Sequence, residues 1–233
     1  QCSKKDLLYL NRVNKLQHII KTAEPEKLRE YKRHHPTHRY DDLKDDPEQI
    51  RLAIRQHCLE EQSYLCAYCC RAIGEKDHDC MNEHVKPRHK YPQYSLDMNN
   101  IIASCTTKGC CDDAKDNDEI AITPLSERCE NEFKFNLSGT INAVTPDAKE
   151  TVKVLKLGDS LQQNQKLVDM RRQAISSFLF TQSIDPDEPV DIEDDELLKL
   201  LIEELKDAPN GRLTPFAPVI INALKTWVDG NKL

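Results

Sequence analysis

No run of apolar residues in this chain approaches the roughly 20 needed to cross a bilayer, so no membrane-spanning helix and no membrane partner are expected. Glycine is scarce, with 6 residues in 233, and proline contributes 12. That excludes a fibrous chain and a Gly/Pro-rich disordered one. No glycine-rich phosphate-binding loop occurs, so the chain itself is not expected to hydrolyse nucleotides. Between Gln1 and Leu10 there is no long apolar stretch before a small-residue cleavage site, so no export signal is expected. Aromatic residues reach only 6% and all hydrophobic residues 38%. With 31% charged residues, this describes a soluble protein with a modest core and a highly charged surface.

Cysteine is plentiful, at 10 residues. In an exported chain these would read as disulfides. With no export signal, uneven spacing and two adjacent pairs, Cys69–Cys70 and Cys110–Cys111, the expected state is reduced, cytoplasmic and metal-binding. The net charge of −7 hides an uneven distribution. Residues 1–40 hold ten Lys or Arg against four acids, whereas residues 184–208 hold eleven acids against two lysines. A basic front and an acidic back suit a protein that meets phosphates with one side and a partner with the other.

Apolar spacing predicts helices over 5–22, 26–33 and 47–62, the second stopped by Pro36. From Tyr64 to Asp118 periodicity fails, and Cys, His, Asn and Asp dominate, which suggests a loop-rich site held by something other than a large core. Strands are expected at Ile120–Ile122, and at 132–137 and 140–144 as a hairpin across Ser138-Gly139. Thr145-Pro146 opens a helix that Gly158 stops. Ser160 caps a longer helix to Thr181, residues 185–195 form an acidic linker, and 196–206 and 216–228 are further helices. The organisation expected is an N-terminal helical region (1–62), a core with the site and hairpin (63–144), and a C-terminal helical region (145–233).

Cys66-Ala-Tyr-Cys69 is a C-x2-C knuckle, and Cys105 followed by Cys110 or Cys111 supplies a second thiol set. Four thiolates around one Zn²⁺ form a closed tetrahedral site that fixes two distant loops and adds folding energy where the core is thin. Cys66, Cys69, Cys105 and Cys111 are the favoured set, with Cys110 as the rival for the last place. Cys2, Cys58, Cys80 and Cys129 read as ordinary thiols. Between the thiol sets stands Glu83-His84-Val85-Lys86-Pro87-Arg88, followed by Asn100, Asp112 and Lys115. Phosphodiester hydrolysis needs a base that is neutral near pH 7 and a hard cation held by carboxylate oxygen. Glu83 and His84 put an anion and an imidazole on one segment, Asp112 offers a second oxygen, and Lys86, Arg88, His89 and Lys90 can line a phosphate path. Each residue alone is an ordinary surface or turn residue; the combination bracketed by thiols is what points to chemistry. Two other classes remain beside it: a non-catalytic zinc module that binds nucleic acid or protein, and a thiol redox protein.

The order of these residues resembles the HNH endonuclease superfamily. Leu59-Glu60-Glu61-Gln62 leading into Cys66-Ala-Tyr-Cys69, Glu83-His84 with Pro87-Arg88 and Tyr91-Pro92, and Asn99-Asn100-Ile101-Ile102 are similar to the PtuB-type HNH nucleases of Septu and retron anti-phage defence systems, over residues 31–144. The resemblance implies an α+β fold, a ββα-metal core with structural zinc inside a mostly helical protein. It implies His84 as general base, Glu83 and Asp112 as ligands of a catalytic Mg²⁺ or Mn²⁺, Asn100 as the residue that orients the histidine, and Cys66, Cys69, Cys105 and Cys111 as zinc ligands. Lys86, Arg88, Lys90 and Lys115 are the expected substrate contacts. Asp113 stands beside Asp112 as an alternative for its place. The implied function is DNA cleavage in a prokaryotic defence complex, with RNA or tRNA as the substrate in retron-linked relatives. Implied partners are an ABC-type ATPase (PtuA-like) or a retron reverse transcriptase complex, with the acidic C-terminal helices as docking region.

Overall fold

Where apolar residues recur at helical spacing, the chain is helical. In the computed structural model, which describes residues 18–44, 49–76, 78–159, 161–185 and 195–231, helix α1 spans Glu26–His34. Its last turn carries Lys32, Arg33 and His34, cations that suit the carbonyl end of a helix. Helix α2, Ile50–Glu61, buries Ile50, Ile54, Cys58 and Leu59 along one stripe; its expected start at Pro47 lies outside the described residues. The helix expected over 5–22 falls mostly outside them too, and residues 18–22 are not helical. There Ile19 donates its N–H to the Pro124 carbonyl (2.8 Å), and an open backbone lets Lys21 reach Glu61 and the Ile101 carbonyl.

The loop-rich segment contains a hairpin that its composition conceals. Strand β1, Cys80–His84, pairs antiparallel with β2, Ile101–Cys105, in the register Cys80↔Cys105 to His84↔Ile101. Every residue of β2 is buried, so it lacks the alternation that marks a half-exposed strand. A short helix α3, Asp112–Lys115, follows. The strand expected at Ile120–Ile122 does not form. The Ile122 N–H takes the Thr151 hydroxyl (3.1 Å) in place of a strand partner, while both isoleucines are buried.

After a single turn of helix, α4 (Cys129–Glu132), come β3 (Phe133–Phe135) and β4 (Ile141–Ala143), a hairpin shorter than expected. Gly139 in its turn has φ +82, and a Cβ there would lie 2.3 Å from the Val168 carbonyl oxygen. The open edge of β3 is closed by a side chain. Asn222 accepts from the Phe135 N–H (2.8 Å) and donates to the Phe133 carbonyl (3.2 Å), as a neighbouring strand would. Helix α5, Pro146–Leu155, starts as its sequence predicts, with the Thr145 hydroxyl accepting from the Ala148 N–H and Pro146 in the first turn. It ends at left-handed Lys156, two residues ahead of Gly158. Helix α6 spans Leu161–Thr181 with a break at Asn164. Helices α7 (Asp195–Lys206) and α8 (Ala217–Asn231) complete the described chain. Ser160 and most of the acidic linker lie outside the described residues.

The C-terminal segments are hydrogen-bonded to the cysteine-rich part. Leu213 donates its N–H to the Ser63 carbonyl (3.1 Å), Phe216 to Cys70 (2.8 Å), and Cys111 donates to Leu155 (3.0 Å). The fold is thus a mixture of helices with two small antiparallel hairpins. No described helix is long and apolar enough to cross a membrane.

Candidate metal centre and active site

The knuckle is a tight reversal. Cys66 donates its N–H to the Arg71 carbonyl (2.9 Å), Cys70 donates to Cys66 (3.0 Å), and Cys70 takes φ +61. It is pinned to β2 by the Ala67 N–H on the Ala103 carbonyl (3.1 Å). The buried Gln62 amide adds a clasp, accepting from the Ala103 N–H (2.7 Å) and donating to the Ala103 and Leu65 carbonyls (2.8 Å each). Cys105 ends β2 and Cys111 opens α3, so the hairpin carries the second thiol set to the first. The sulfurs of Cys66, Cys69, Cys105 and Cys111 all lie within 4.8 Å of one another, with 4.0 Å between Cys66 and Cys111 and 3.9 Å between Cys69 and Cys105. Sulfurs at the corners of a tetrahedral zinc site stand about 3.8 Å apart, whereas a disulfide needs about 2.05 Å. The donor set is soft, four-fold and fully enclosed, so it can hold a metal such as zinc. Geometry also decides between the neighbours at the end of the motif, because the Cys110 sulfur turns to the Thr107 carbonyl (3.8 Å). Hydrogen bonds from the surrounding thiols hold Cys105 far below the usual thiol range, while Cys69 and Cys111 are pushed above it.

The same hairpin positions Glu83 and His84. Glu83 and His84 sit at the end of β1, opposite Ile102 and Ile101. The Glu83 carboxylate receives the Tyr68 hydroxyl (2.9 Å), the Lys115 ammonium (2.9 Å) and the His84 backbone N–H (2.8 Å). Burial raises its proton affinity, but Asp112, Lys115 and Tyr68 outweigh that and lower it. Asp112 goes the other way, to about 8, through burial and its hydrogen bond to the charged Glu83. Burial and the neighbouring Glu83 charge thus favour a proton on Asp112 over one on Glu83. Two oxygen donors beside an imidazole suit a hard divalent ion.

His84 is only 4% exposed, and its Nε2 lies 2.9 Å from the Ser95 carbonyl oxygen. A carbonyl cannot donate, so Nε2 carries the proton and Nδ1 of the neutral ring is the acceptor. The Tyr40 ring meets the imidazole edge-on at 4.8 Å. Burial lowers the His84 pKa to about 4 against the opposing Ser95 hydrogen bond, so the ring is neutral throughout the neutral range. Asn100 braces the loop that follows. Its side chain accepts from the Lys86 N–H (2.7 Å) and donates to the carbonyls of Lys86 (3.1 Å) and Tyr94 (3.3 Å), next to the residue that holds the imidazole.

Glu83, His84 and Asp112 line one open cleft of about 560 Å³, together with Arg88, His89 and Asp113. Lys86 is exposed, with its ammonium 4.6 Å from the centre of the Tyr94 ring. Arg88 pairs with Asp41 and lies 5.0 Å from the Tyr40 ring, and Lys90 pairs with Glu119 at 3.3 Å on the surface. Asp113 is committed to the Lys108 ammonium (2.6 Å) and the Gly109 N–H (2.8 Å). The expectation of Lys115 as a substrate contact needs correction. Its side chain is 0% exposed, and it binds Glu83 and the His84 carbonyl (3.1 Å), so it faces the carboxylates from inside. Sequence reasoning also missed Tyr68 and Ser95. Tyr68 lies inside the knuckle motif, where only its neighbours drew notice, and Ser95 acts through a backbone carbonyl that has no sequence signal.

No family model matches the chain. Over 96 residues it is 30% identical to an Escherichia coli protein named "Retron Ec83 putative HNH endonuclease". The match takes in 39% of this chain and 37% of that protein's length.

Proposed function

We propose that this chain is a metal-dependent endonuclease of the HNH type, with β1, β2 and α3 as its ββα-metal core. The observation that carries the reading is the convergence of Glu83, His84 and Asp112 on one cleft, with the proton of His84 tied to Ser95 on the side away from its accepting nitrogen. The match to a relative named as an HNH endonuclease supports it. In this reading Cys66, Cys69, Cys105 and Cys111 hold a structural zinc that sets the hairpin against α3. Glu83 and Asp112 hold a catalytic Mg²⁺ or Mn²⁺. Bound there, the ion supplies positive charge to the phosphate and to the leaving oxygen.

The remaining steps belong to side chains. Nδ1 of His84 accepts the proton of the attacking water, and the Ser95 carbonyl keeps the ring from turning. Asn100 fixes the loop that carries Ser95, while Lys115 and Tyr68 hold Glu83 in place. Lys86, Arg88, His89 and Lys90 meet the phosphates flanking the scissile bond. DNA is the substrate proposed. The retron in the relative's name supports a defence setting and a reverse transcriptase complex as partner; a PtuA-like ATPase is the other partner implied, with the acidic C-terminal helices as its docking region. The test is cleavage of plasmid DNA and of tRNA by purified protein with Mg²⁺ or Mn²⁺, alone and with its partner. Cleavage by the wild type and not by His84→Ala is expected. Cleavage that survives His84→Ala rejects His84 as the base, and zinc binding with no cleavage of either substrate rejects the nuclease reading in favour of a zinc-binding interaction module.

A further inference from the structure

Arg171, on α6, has the largest fully buried side chain of the described chain, and its guanidinium stays charged at any pH the fold survives. Nη1 donates to the Leu157 carbonyl (2.7 Å), and the guanidinium carbon lies 4.9 Å from the centre of the Phe135 ring. Nε and Nη2 are buried with no hydrogen-bond partner. A buried cation whose hydrogen bonding rests on one neutral carbonyl is costly unless a negative charge stands nearby. Short links tie this part of α6 to the four-thiol site. Cys111 is bonded to Leu155, two residues from the carbonyl that Arg171 uses, and Met170, the neighbour of Arg171, receives Nη2 of Arg71 on its sulfur at 3.5 Å. Burial lowers the proton affinity of Arg171, and the sulfurs of Cys69, Cys70, Cys111 and Cys110 oppose that lowering electrostatically.

Arg71 occupies the rim of the same site. It follows the knuckle directly, and its Nη1 donates to the Thr107 hydroxyl (2.6 Å) in the loop between Cys105 and Cys110, joining the two thiol sets. Four thiolates around a divalent ion carry a net charge of −2, and two guanidiniums cancel it. We propose that Arg171, with Arg71 at the rim, is the counter-charge that lets the four-thiol site hold a soft divalent cation. This rests on the metal-site part of the reading above and not on nuclease activity.

The test compares wild type with Arg171→Met, Arg171→Lys and Arg71→Met in zinc content, zinc affinity against a chromophoric chelator, and melting temperature with and without zinc. Arg171→Met is expected to weaken zinc binding by roughly 10- to 100-fold, the range for groups that support metal ligands. Arg171→Lys keeps the charge and recovers most of the loss, and Arg71→Met shows a smaller loss. The stabilisation gained on adding zinc shrinks with the affinity. An Arg171 that merely fills space would lower the melting temperature of the metal-free and loaded proteins alike and leave affinity unchanged, and that result overturns the proposal. If Arg171→Met does not fold, unchanged zinc affinity in Arg71→Met overturns it in the same way. Wild type that takes up no zinc overturns the metal site itself, whereas normal zinc behaviour without cleavage of nucleic acid rejects only the nuclease reading.

Discussion

Lys115→Met separates an internal brace from a phosphate contact. The Lys115 ammonium is fully enclosed, 2.9 Å from the Glu83 carboxylate and 3.1 Å from the His84 carbonyl oxygen. Methionine fills much the same space and removes the charge. Glu83 is then left with the Tyr68 hydroxyl and the His84 N–H, and with no cation beside its buried charge. Removing one partner of a buried ion pair costs about 3–5 kcal/mol, a large share of the roughly 5–15 kcal/mol that holds a domain folded. For a chain of this length each kcal/mol moves the melting temperature by about 2–4 °C, so a fall of about 6–20 °C is expected for the zinc-loaded protein with no Mg²⁺ or Mn²⁺ added. On the proposed function, Mn²⁺ or Mg²⁺ bound at Glu83 and Asp112 would restore positive charge there. The variant is therefore expected to gain more thermal stability from the divalent ion than wild type gains, up to about 2.7 kcal/mol at a concentration 100 times the dissociation constant. Differential scanning fluorimetry across a Mn²⁺ titration measures both effects. A variant that melts with wild type when no Mg²⁺ or Mn²⁺ is added and loses only its affinity for nucleic acid would refute the reasoning and return Lys115 to the phosphate path.

Glu61 makes stability depend on acid. Burial raises its pKa, but His57, Lys21 and the Thr22 N–H overcome that and bring it to about 2, below an unfolded value of 4.5. Its contribution is thus complete above pH 4.5 and fades as pH falls toward 2, by about 3 kcal/mol in all. Urea melts of wild type and Glu61→Gln across that window should converge at low pH; parallel curves reject the account. Cys111→Ser should lose bound zinc while Cys110→Ser keeps it, as read by metal analysis of the purified variants, since the Cys111 sulfur alone of the two belongs to the four-fold group. Gly139→Ala should destabilise the protein by about 2–4 kcal/mol, combining a left-handed backbone with a clash against α6. A chemical-denaturation midpoint unchanged by that substitution would show that the turn is not as described.

The legible parts of this fold are those whose cause is local. Thr145-Pro146 predicts a helix start because the cap and the proline act within one turn, and the hydroxyl is found on the Ala148 N–H. The cysteine spacing likewise points to four thiols in one place, and they converge. β1 escaped notice because Cys80-Met-Asn-Glu-His84 has neither alternation nor apolar character, and its conformation follows from pairing with β2. Asn222 and Gln62 act as substitutes for strands, a role that depends on distant backbone and leaves no trace in spacing. Lys115 reads as one more basic residue until the hairpin brings Glu83 to it. Arg171 sits among charged neighbours on a helix of mixed composition, so its burial is decided by packing of α6 alone.

The hydrogen bonds from Leu213 and Phe216 to Ser63 and Cys70 have a consequence for a chain made from one end to the other. The cysteine turn leaves the ribosome long before the backbone that covers it. A nascent chain halted ahead of Leu213 presents the Ser63 and Cys70 carbonyls to water and leaves β3 without Asn222 along its edge. Closure of the cysteine-rich half and of the β3 edge is thereby tied to translation through residue 222, so a fragment that stops earlier lacks the partners that cover them.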